Sequence, residues 1–229
     1  MKPAIEIFAQ DWRSFEYAVV DIEGTGAQHR EKEGIVDIAV VIVQSGSVSE
    51  RQYHQLLDPG IKIPIFVSKI HGIYDKDVSG RPTFENIRPS LEQFLGQRFL
   101  VAHNASVERR VLHSKLPTYQ PQLIFDTLKM ARALYGSGYR HGLEELINRL
   151  GLRSALPTTG GVAKHHGALY DASAAAHAFV HMAYENFPGG CPLEDLAEMC
   201  AIERNAGSNR PRGMSGSESK RGQANFEWS

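Results

Sequence analysis

The sequence predicts a mixed α/β fold in which strands come first and then alternate with helices. Three apolar, β-branched segments at 17–22, 35–43 and 52–57 follow one another, with only short polar connections between them. Helical periods appear later in the chain, and short apolar segments at 99–102 and 123–125 lie between them. A Rossmann-type fold would place a helix between each pair of strands, so we expect antiparallel pairing in the first half of the sheet.

The first three strands are expected to form a meander. The segment 35–43 is the longest apolar run, is interrupted by Asp37, and is too short to cross a bilayer. Ser-Gly-Ser at 45–47 provides a turn toward the third strand, and Asp-Pro-Gly at 58–60 ends that strand. The charged segment 29–33 is expected to connect the first two strands.

The later part of the chain carries the helix signals. Amphipathic periods predict helices at 84–95 and 143–150, and Gly151 supplies the C-terminal stop of the second. Ser106 is expected to cap the N-terminus of a further helix. An alanine-rich segment at 168–184 predicts one long helix.

Length and composition predict one main domain with a short appendage. The chain has 229 residues, which is enough to bury a substantial core. We expect the domain to occupy 1–187, followed by a short helical extension at 188–204 and a disordered polar tail at 205–229, rich in Gly, Ser, Asn and Arg. Within the domain, 61–82 shows no regular period.

Charge and cysteine content narrow the classes of function. The net charge is −1, so no overall basic field attracts nucleic acid, and any site for a polyanion must be local. The two cysteines, Cys191 and Cys200, provide neither a disulfide framework nor a zinc pattern. The first residues lack the apolar segment of a signal peptide, and we expect a cytoplasmic protein.

A pair of acidic residues at the end of the first predicted strand indicates a metal site. Asp21 and Glu23 are two residues apart, so both side chains project from one face of the strand. Adjacent carboxylates repel each other unless a hard cation such as Mg²⁺ or Mn²⁺ neutralises them. Gly24 and Gly26 then allow a sharp turn and leave backbone N–H groups open to a phosphate. The plainer alternative is a strand that ends in a polar turn.

Two further segments place acidic groups at the ends of elements. Glu108 lies in the first turn of the helix that follows His103-Asn104, where a carboxylate could also merely complement the helix dipole. Asp171 lies in the first turns of the alanine-rich helix, and His166 lies at the entry of that helix, after the Gly160-Gly161 segment. An imidazole beside an acidic cluster suits a general base near neutral pH. The alternative for His166 is a solvent-exposed position in a loop. For the neighbouring His165, the exposed position is the preferred interpretation.

Together these elements resemble the three motifs of the DEDDh 3′–5′ exonucleases, which belong to the RNase H-like superfamily. That group includes the proofreading subunit of bacterial DNA polymerase III and RNase T. The similarity extends over residues 17–184 with the motifs in the family's order. Further landmarks are Ile70-His71-Gly72-Ile73, Asp126-Thr127 and the helix around Leu143. The resemblance implies an RNase H-like fold, a mixed five-stranded sheet flanked by helices.

The resemblance also implies a mechanism that uses two divalent metal ions, Mg²⁺ or Mn²⁺. By similarity, Asp21, Glu23 and Asp171 would hold one ion. Asp21 would also bridge to the second ion, which Glu108 would help to place, and His166 would deprotonate the attacking water. The residues that would contact or lie near the terminal nucleotide are Gly24, Thr25, Gly26, His71 and Asn104.

What the resemblance implies about function is hydrolysis at the 3′ end of single-stranded DNA or RNA, with release of nucleoside 5′-monophosphates. A polymerase or another replication or repair protein is the implied protein partner, and no membrane is involved. The family's second motif usually carries Asp where this chain has Glu108. The added methylene favours Mn²⁺ over Mg²⁺, because Mg²⁺ requires near-ideal octahedral geometry. The alternative is an impaired or non-catalytic module of the same fold, which binds nucleic acid or a polymerase.

Overall fold

A five-stranded mixed sheet lies at the centre of the computed structural model, which describes residues 4–26, 33–136, 138, 140–156 and 167–202. The spatial order of the strands is β3-β2-β1-β4-β5. The first three strands pair antiparallel, whereas β1 with β4 and β4 with β5 pair parallel. The predicted mixed sheet that begins with a meander is therefore confirmed. The strands are β1 (Glu16–Gly24), β2 (Ile35–Gln44), β3 (Ser47–Leu56), β4 (Phe99–Ala102) and β5 (Ile124–Asp126).

Helices cover both faces of this sheet. Within the described residues they are α1 (Ala4–Phe8), α2 (Ile65–His71), α3 (Asp75–Val78), α4 (Phe84–Leu95), α5 (Ser106–Lys115), α6 (Thr127–Tyr135), α7 (Leu143–Leu150), α8 (Ala168–Asn186) and α9 (Leu193–Cys200). The amphipathic helices that the sequence predicts at 84–95 and 143–150 are present with those bounds. The predicted alanine-rich helix is α8.

The alternation of side chains along β1 separates two hydrophobic layers. Tyr17 and Val19 point to the face that α8 covers, together with α6, α7 and α9. Ala18 and Val20 point to the other face, against buried residues of α4 and α5. Because the period is two, the residues that follow on the α8 side of β1 are Asp21 and Glu23.

An aromatic cluster anchors α8 to the sheet. Phe179 of α8 lies with its ring centroid 5.1 Å from that of Tyr17 and 5.9 Å from that of Phe125. Trp12, in a short 3-10 helix before β1, contacts Phe179 edge-on at 6.1 Å. The buried Tyr17 hydroxyl donates a hydrogen bond to the Trp12 carbonyl at 2.7 Å. These contacts fix the position of α8 across the face of the sheet.

The region 61–82, which showed no regular period, contains the two short helices α2 and α3. Periodicity could not reveal α2, because Ile65, Phe66 and Ile70 on this helix are exposed and leave no apolar stripe facing inward. Its ends carry clearer signals. Pro64 precedes the first turn, and Gly72 follows the last turn in a left-handed conformation.

The expected role of Ser106 as a helix cap is wrong. The structure begins α5 at Ser106 itself, with Ala105 in the N-cap position and no side-chain cap. Asn104, in a left-handed conformation with φ of 62°, sets the turn before the helix. Its N–H donates to a carboxylate oxygen of Asp126 at 3.0 Å. A contact from a distant strand end therefore fixes the start of this helix.

The C-terminal part of the described chain packs onto the same core as α8. Leu193, Leu196 and Cys200 of α9 are buried in the cluster that contains Phe179. After α9, the N–H of Ile202 donates to the carbonyl of Ile124 in β5 at 2.8 Å. The predicted polar tail at 205–229 lies outside the described residues, and so does the predicted connector at 29–33 apart from Glu33.

None of the described helices is both long enough and apolar enough to span a bilayer.

We expect replacement of Phe179 by alanine to destabilise the fold strongly. The side chain is fully buried and contacts three aromatic rings, so Phe179→Ala should lower the free energy of unfolding by about 3–5 kcal/mol, whereas Phe179→Leu should cost less. Urea unfolding followed by circular dichroism measures both values. A loss below about 1 kcal/mol for the alanine variant would contradict the anchoring role of the ring.

Candidate active site

Three carboxylates converge at one end of the sheet. Asp21 and Glu23 come from the α8 side of β1, and Asp171 comes from the first turn of α8. One carboxylate oxygen from each residue lies within 4.8 Å of the others. The convergence follows from the fold, because α8 crosses the face of β1 that carries both acidic residues. A set of three carboxylate oxygens is the donor set that Mg²⁺ and Mn²⁺ take, so the residues fit such an ion.

Glu108 is a fourth acidic group beside this cluster. It lies in the first turn of α5, its exposed fraction is 5%, and it raises the pKa of Asp21 by electrostatic repulsion. Its Oε2 atom is buried and has no hydrogen-bond partner among the described residues. An unpaired buried carboxylate oxygen is costly. Glu108 therefore has a free ligand atom near the cluster, although it is not one of the three residues whose oxygens lie within 4.8 Å.

The loop before α5 is held by residues at the end of β5. Asp126 accepts hydrogen bonds from the N–H groups of Asn104 and Leu128, at 3.0 and 2.8 Å. His103 Nδ1 and Thr127 Oγ1 form a hydrogen bond of 2.9 Å. These contacts connect Asp126-Thr127 to the acidic cluster, because the pair holds the loop that leads to Glu108.

The turn after β1 packs tightly against the start of β2. The Thr25 N–H donates to the Gly34 carbonyl at 2.9 Å, and the Gly34 N–H donates to the Thr25 hydroxyl at 3.0 Å. A Cβ atom on Gly24 would lie 3.3 Å from an oxygen of Glu33, and that carboxylate forms an ion pair with Arg110 of α5. Gly26 has a φ of 87°, a conformation that favours glycine. Thr25 is thus buried, and its backbone N–H and its hydroxyl are both hydrogen-bonded to the Gly34 backbone.

His71, at the end of α2, is buried against this turn. Its Nδ1 accepts a hydrogen bond from the Ile73 N–H at 3.0 Å, so the neutral ring carries its proton on Nε2. Burial lowers the pKa of His71, and the neighbouring Gly24 backbone opposes that shift. No acceptor among the described residues meets Nε2 in good hydrogen-bond geometry. His71 is therefore expected to stay neutral at physiological pH.

Burial and mutual repulsion raise the pKa values of the acidic groups. The pKa of Asp21 lies well above its ordinary value, first because of burial and then because of Glu108, Asp171 and Glu23. Burial, with repulsion from Asp171 and Asp37, raises the pKa of Glu23 to about 8. Burial also raises the pKa of Glu108 to about 8. Without a cation, the cluster therefore holds protons at neutral pH.

Sequence reasoning missed a further buried acid close to the cluster, Asp37 of β2, whose exposed fraction is 3%. It is paired with Glu23 in the register of β1 and β2. The available signal was a charged residue inside an otherwise apolar run, which usually means that the charge has a specific partner. Its partners are His54 and the first residue of α8.

The structure thus brings together most of the predicted site residues. Asp21, Glu23 and Asp171 form the cluster, and Glu108 lies beside it. The predicted nucleotide contacts lie at the end of β1 and around it, although Asn104 is exposed while Thr25 and His71 are buried. The predicted general base, His166, and its neighbour His165 lie outside the described residues.

Sequence comparison gives relatives among DNA polymerase III proteins. The chain is 30% identical over 175 residues to the DNA polymerase III subunit epsilon of Aquifex aeolicus. The match covers 74% of this chain and 81% of the relative. It is 33% identical over 165 residues to the PolC-type DNA polymerase III of Streptococcus thermophilus, covering 69% of this chain. That match spans only 10% of the PolC-type protein's length.

Comparison with solved structures identifies exonucleases of the same fold. A structure of Exonuclease X in complex with 5′-overhanging duplex DNA has a TM-score of 0.60 and 27% identity, and the match covers 79% of this chain and 98% of that one. Escherichia coli Exonuclease I, solved with a dA16 oligonucleotide, has a TM-score of 0.61 and 15% identity, covering 76% of this chain and 42% of that one. These neighbours confirm the predicted RNase H-like sheet flanked by helices. The RNase T family model, described as exonuclease, matches residues 18–179, and the chain therefore belongs to the exonuclease family.

Proposed function

We propose that the chain is a DEDDh-type 3′–5′ exonuclease that removes nucleoside 5′-monophosphates from the 3′ ends of DNA or RNA. The observation that carries this proposal is the convergence of Asp21, Glu23 and Asp171 at the end of the sheet, in a chain of the exonuclease family. Glu108, buried beside them with an unpaired oxygen, supplies the fourth acidic group that this type requires.

The acidic groups would hold two divalent ions, Mg²⁺ or Mn²⁺. Asp21, Glu23 and Asp171 would hold the first ion, Asp21 would also serve the second, and Glu108 would help to place that second ion. Such ions supply a reactive water at neutral pH and neutralise charge on the phosphodiester. The raised pKa values of Glu23 and Glu108 support this assignment, because a bound cation replaces the protons that the cluster otherwise retains.

We assign the general base to His166, which lies two positions before the first residue of α8 in the sequence. Its imidazole takes a proton from the attacking water, and the leaving 3′ oxygen of the preceding nucleotide takes up a proton from solvent. The position suits this role, because Asp171 lies five residues further along the chain, within the first turn of α8. An ordinary imidazole titrates near neutral pH, as a base for this step must.

The surface next to the turn after β1 supports an unpaired 3′ end as the substrate. α2 exposes Ile65 and Phe66, the latter with an exposed fraction of 53%, and a Cβ atom on Gly26 would lie 3.0 Å from a methyl group of its Val67. Nucleobases stack on apolar and aromatic side chains only when they are unpaired. We therefore place the terminal nucleotides along α2. The nearby residues assigned to the terminal nucleotide are Gly24, Thr25, Gly26, His71 and Asn104.

The relatives suggest a setting for this activity. The epsilon subunit and PolC-type matches favour a polymerase, or another replication or repair protein, as the partner. Both cysteines, Cys191 and Cys200, are buried and unpaired, which supports a cytoplasmic location. A duplex with a recessed 3′ end belongs among the test substrates, because Exonuclease X was solved with such DNA.

We predict that the metal-free protein loses stability as the pH rises from about 6 to about 8.5. The folded-state pKa values of Glu23 and Glu108 lie near 8, above those of the unfolded chain, so the folded state binds more protons in this window. Urea unfolding in the presence of EDTA, repeated at several pH values, measures how the free energy of unfolding changes with pH. Mn²⁺ should restore the lost stability, most at the upper end of the window, because it replaces the protons.

Asp21→Asn should flatten this pH dependence, whereas Glu194→Gln, at an exposed carboxylate of α9, should leave it unchanged. A metal-free protein whose stability rises over the same window would contradict the proposed electrostatics of the cluster.

We predict that the purified chain shortens single-stranded oligonucleotides from the 3′ end with Mg²⁺ or Mn²⁺. Asp21→Asn should reduce hydrolysis to background, and His166→Ala should lower kcat by about a hundredfold or more, because a general base contributes at least that much. Glu194→Gln is the matched control. Gel analysis of labelled DNA and RNA of the same sequence measures the rate and the preferred sugar.

Unchanged hydrolysis by either the Asp21 or the His166 variant would contradict the assignment. The rate of the native protein should also climb through the pKa of an ordinary imidazole, about 6.5. A pH profile that is flat across that range would remove His166 from the role of base. Metal binding without any turnover would favour the alternative of a non-catalytic module.

We predict that Glu108→Asp raises the Mg²⁺-supported rate severalfold relative to the Mn²⁺-supported rate. The shorter side chain removes the extra methylene, and Mg²⁺ tolerates imperfect octahedral geometry less well than Mn²⁺ does. Glu108→Gln, which keeps the length but not the charge, should lower both rates. An unchanged ratio of the two rates in the aspartate variant would contradict the effect of side-chain length, and unchanged rates in Glu108→Gln would show that Glu108 does not serve the metal.

A further inference from the structure

Asp37 carries a buried charge that the proposed metal chemistry does not use. It lies on β2 among residues that are almost all apolar and buried. A buried carboxylate is tolerated only when hydrogen bonds or charges compensate for its lost hydration. Asp37 faces the acidic cluster and raises the pKa values of both Asp21 and Glu23. An additional negative charge at this point needs a separate explanation.

Both oxygen atoms of Asp37 have partners outside the cluster. Oδ1 forms a hydrogen bond of 2.9 Å with His54 Nε2, and Oδ2 accepts one of 3.1 Å from the N–H of Ala168. His54 lies on β3, paired with Ala39, and thus on the same face of the sheet as Asp37. The hydrogen bond with Asp37 is the main cause that raises the pKa of His54. The carboxylate is therefore held between β3 and α8.

Ala168 is the first residue of α8, and its N–H belongs to the group that a helix leaves without an internal partner. The N-cap residue, Gly167, has no side chain that could accept it. Asp37 thus caps α8 from a neighbouring strand, with its negative charge at the positive end of the helix dipole. Among the described residues, Asp37 supplies the side-chain cap of α8 through its hydrogen bond with the Ala168 N–H.

The capped turn is the one that carries Asp171. The Asp171 N–H donates to the Gly167 carbonyl at 3.1 Å, so Asp171 belongs to the same turn as the Ala168 N–H, which donates to Asp37. Ala168 is fully buried and cannot shift without disturbing the core. A displacement of the turn would move the Asp171 carboxylate away from Asp21 and Glu23, because their oxygens meet within 4.8 Å.

We propose that Asp37, held by His54, is a positioning residue that fixes the N-terminus of α8 and thereby places Asp171 at the metal cluster. This inference rests on the proposed function where metal binding is concerned, but the anchoring of α8 is independent of it. In this role Asp37 orients a metal ligand, Asp171, through hydrogen bonds. Loss of groups that orient metal ligands lowers metal affinity by about 10–100-fold.

The test uses four variants of the full chain. Asp37→Ala removes both hydrogen bonds, and His54→Ala removes one. Asp37→Asn keeps an acceptor for the Ala168 N–H, and its amide can donate to the other tautomer of His54. Val43→Ala is the matched control, because Val43 is a buried residue on the same face of β2, six positions from Asp37.

We expect Asp37→Ala to weaken Mn²⁺ binding, measured by calorimetry, by about tenfold or more and to lower kcat with little change in KM for the oligonucleotide. His54→Ala should show a smaller loss, and Asp37→Asn should remain within about threefold of the native protein. Mn²⁺ affinity in Asp37→Ala equal to that of the native protein would overturn the proposal. Equal damage in the asparagine and alanine variants would also overturn it, since charge and not hydrogen bonding would then matter.

Hydrogen exchange separates this proposal from the proposed nuclease function. Asp37→Ala should accelerate amide exchange in the first two turns of α8, whereas Val43→Ala should not, even at an equal loss of thermal stability. If the native chain neither binds Mn²⁺ nor hydrolyses oligonucleotides, the proposed function fails, and the exchange result then decides the anchoring by itself. Unchanged exchange at the start of α8 in Asp37→Ala overturns the anchoring.

Discussion

Repulsion between buried carboxylates is the constraint on which the site depends. Asp21, Glu23 and Asp171 are held close together with little solvent to screen them, and Glu108 adds to the repulsion. A free chain would separate such groups, so the rest of the molecule must hold them in place. It does so with a sheet whose β1 is bonded on both sides and a helix that is anchored by aromatic packing. The energy of the core is thus used to maintain an unfavourable arrangement of charges.

The residues around the cluster are arranged so that each acidic group is fixed by its backbone. Asp21 and Glu23 lie in the middle and at the end of a paired strand, where the side-chain directions are set by the pleat. Glu108 follows a loop that Asp126 holds through the backbone of Asn104. Asp171 lies in a turn whose first N–H is bonded to Asp37. A paired strand, a hydrogen-bonded loop and a capped helix turn therefore hold the four acidic side chains close together.

The sequence revealed those features that depend on local periodicity. The acidic pair on β1 could be predicted because period two places Asp21 and Glu23 on one face, and the bounds of α4 and α7 followed from their apolar stripes. Contacts between distant parts of the chain could not be predicted in this way. The hydrogen bond between Ala168 and Asp37 spans 131 positions, and the start of α5 is fixed by Asp126 and not by Ser106.

Local signals also failed where burial does not follow a simple stripe. α2 exposes its largest apolar side chains, so its pattern does not differ from that of a loop, although Pro64 and Gly72 mark its ends. The proximity of Asp21 and Asp171 is implied by the order of the family's motifs, since no property of either segment alone specifies the path of α8 across the sheet.

The path of α8 has a consequence for how the molecule responds to heat. Its first turn carries Asp171 of the acidic cluster, while its middle is packed among the rings of Trp12, Tyr17 and Phe125. Because a helix is stiff over this length, loosening of the aromatic packing shifts the Asp171 carboxylate as well. The geometry of the acidic cluster and the rigidity of the core are therefore mechanically linked in this fold, and warming should disturb the cluster at temperatures where the chain is still folded.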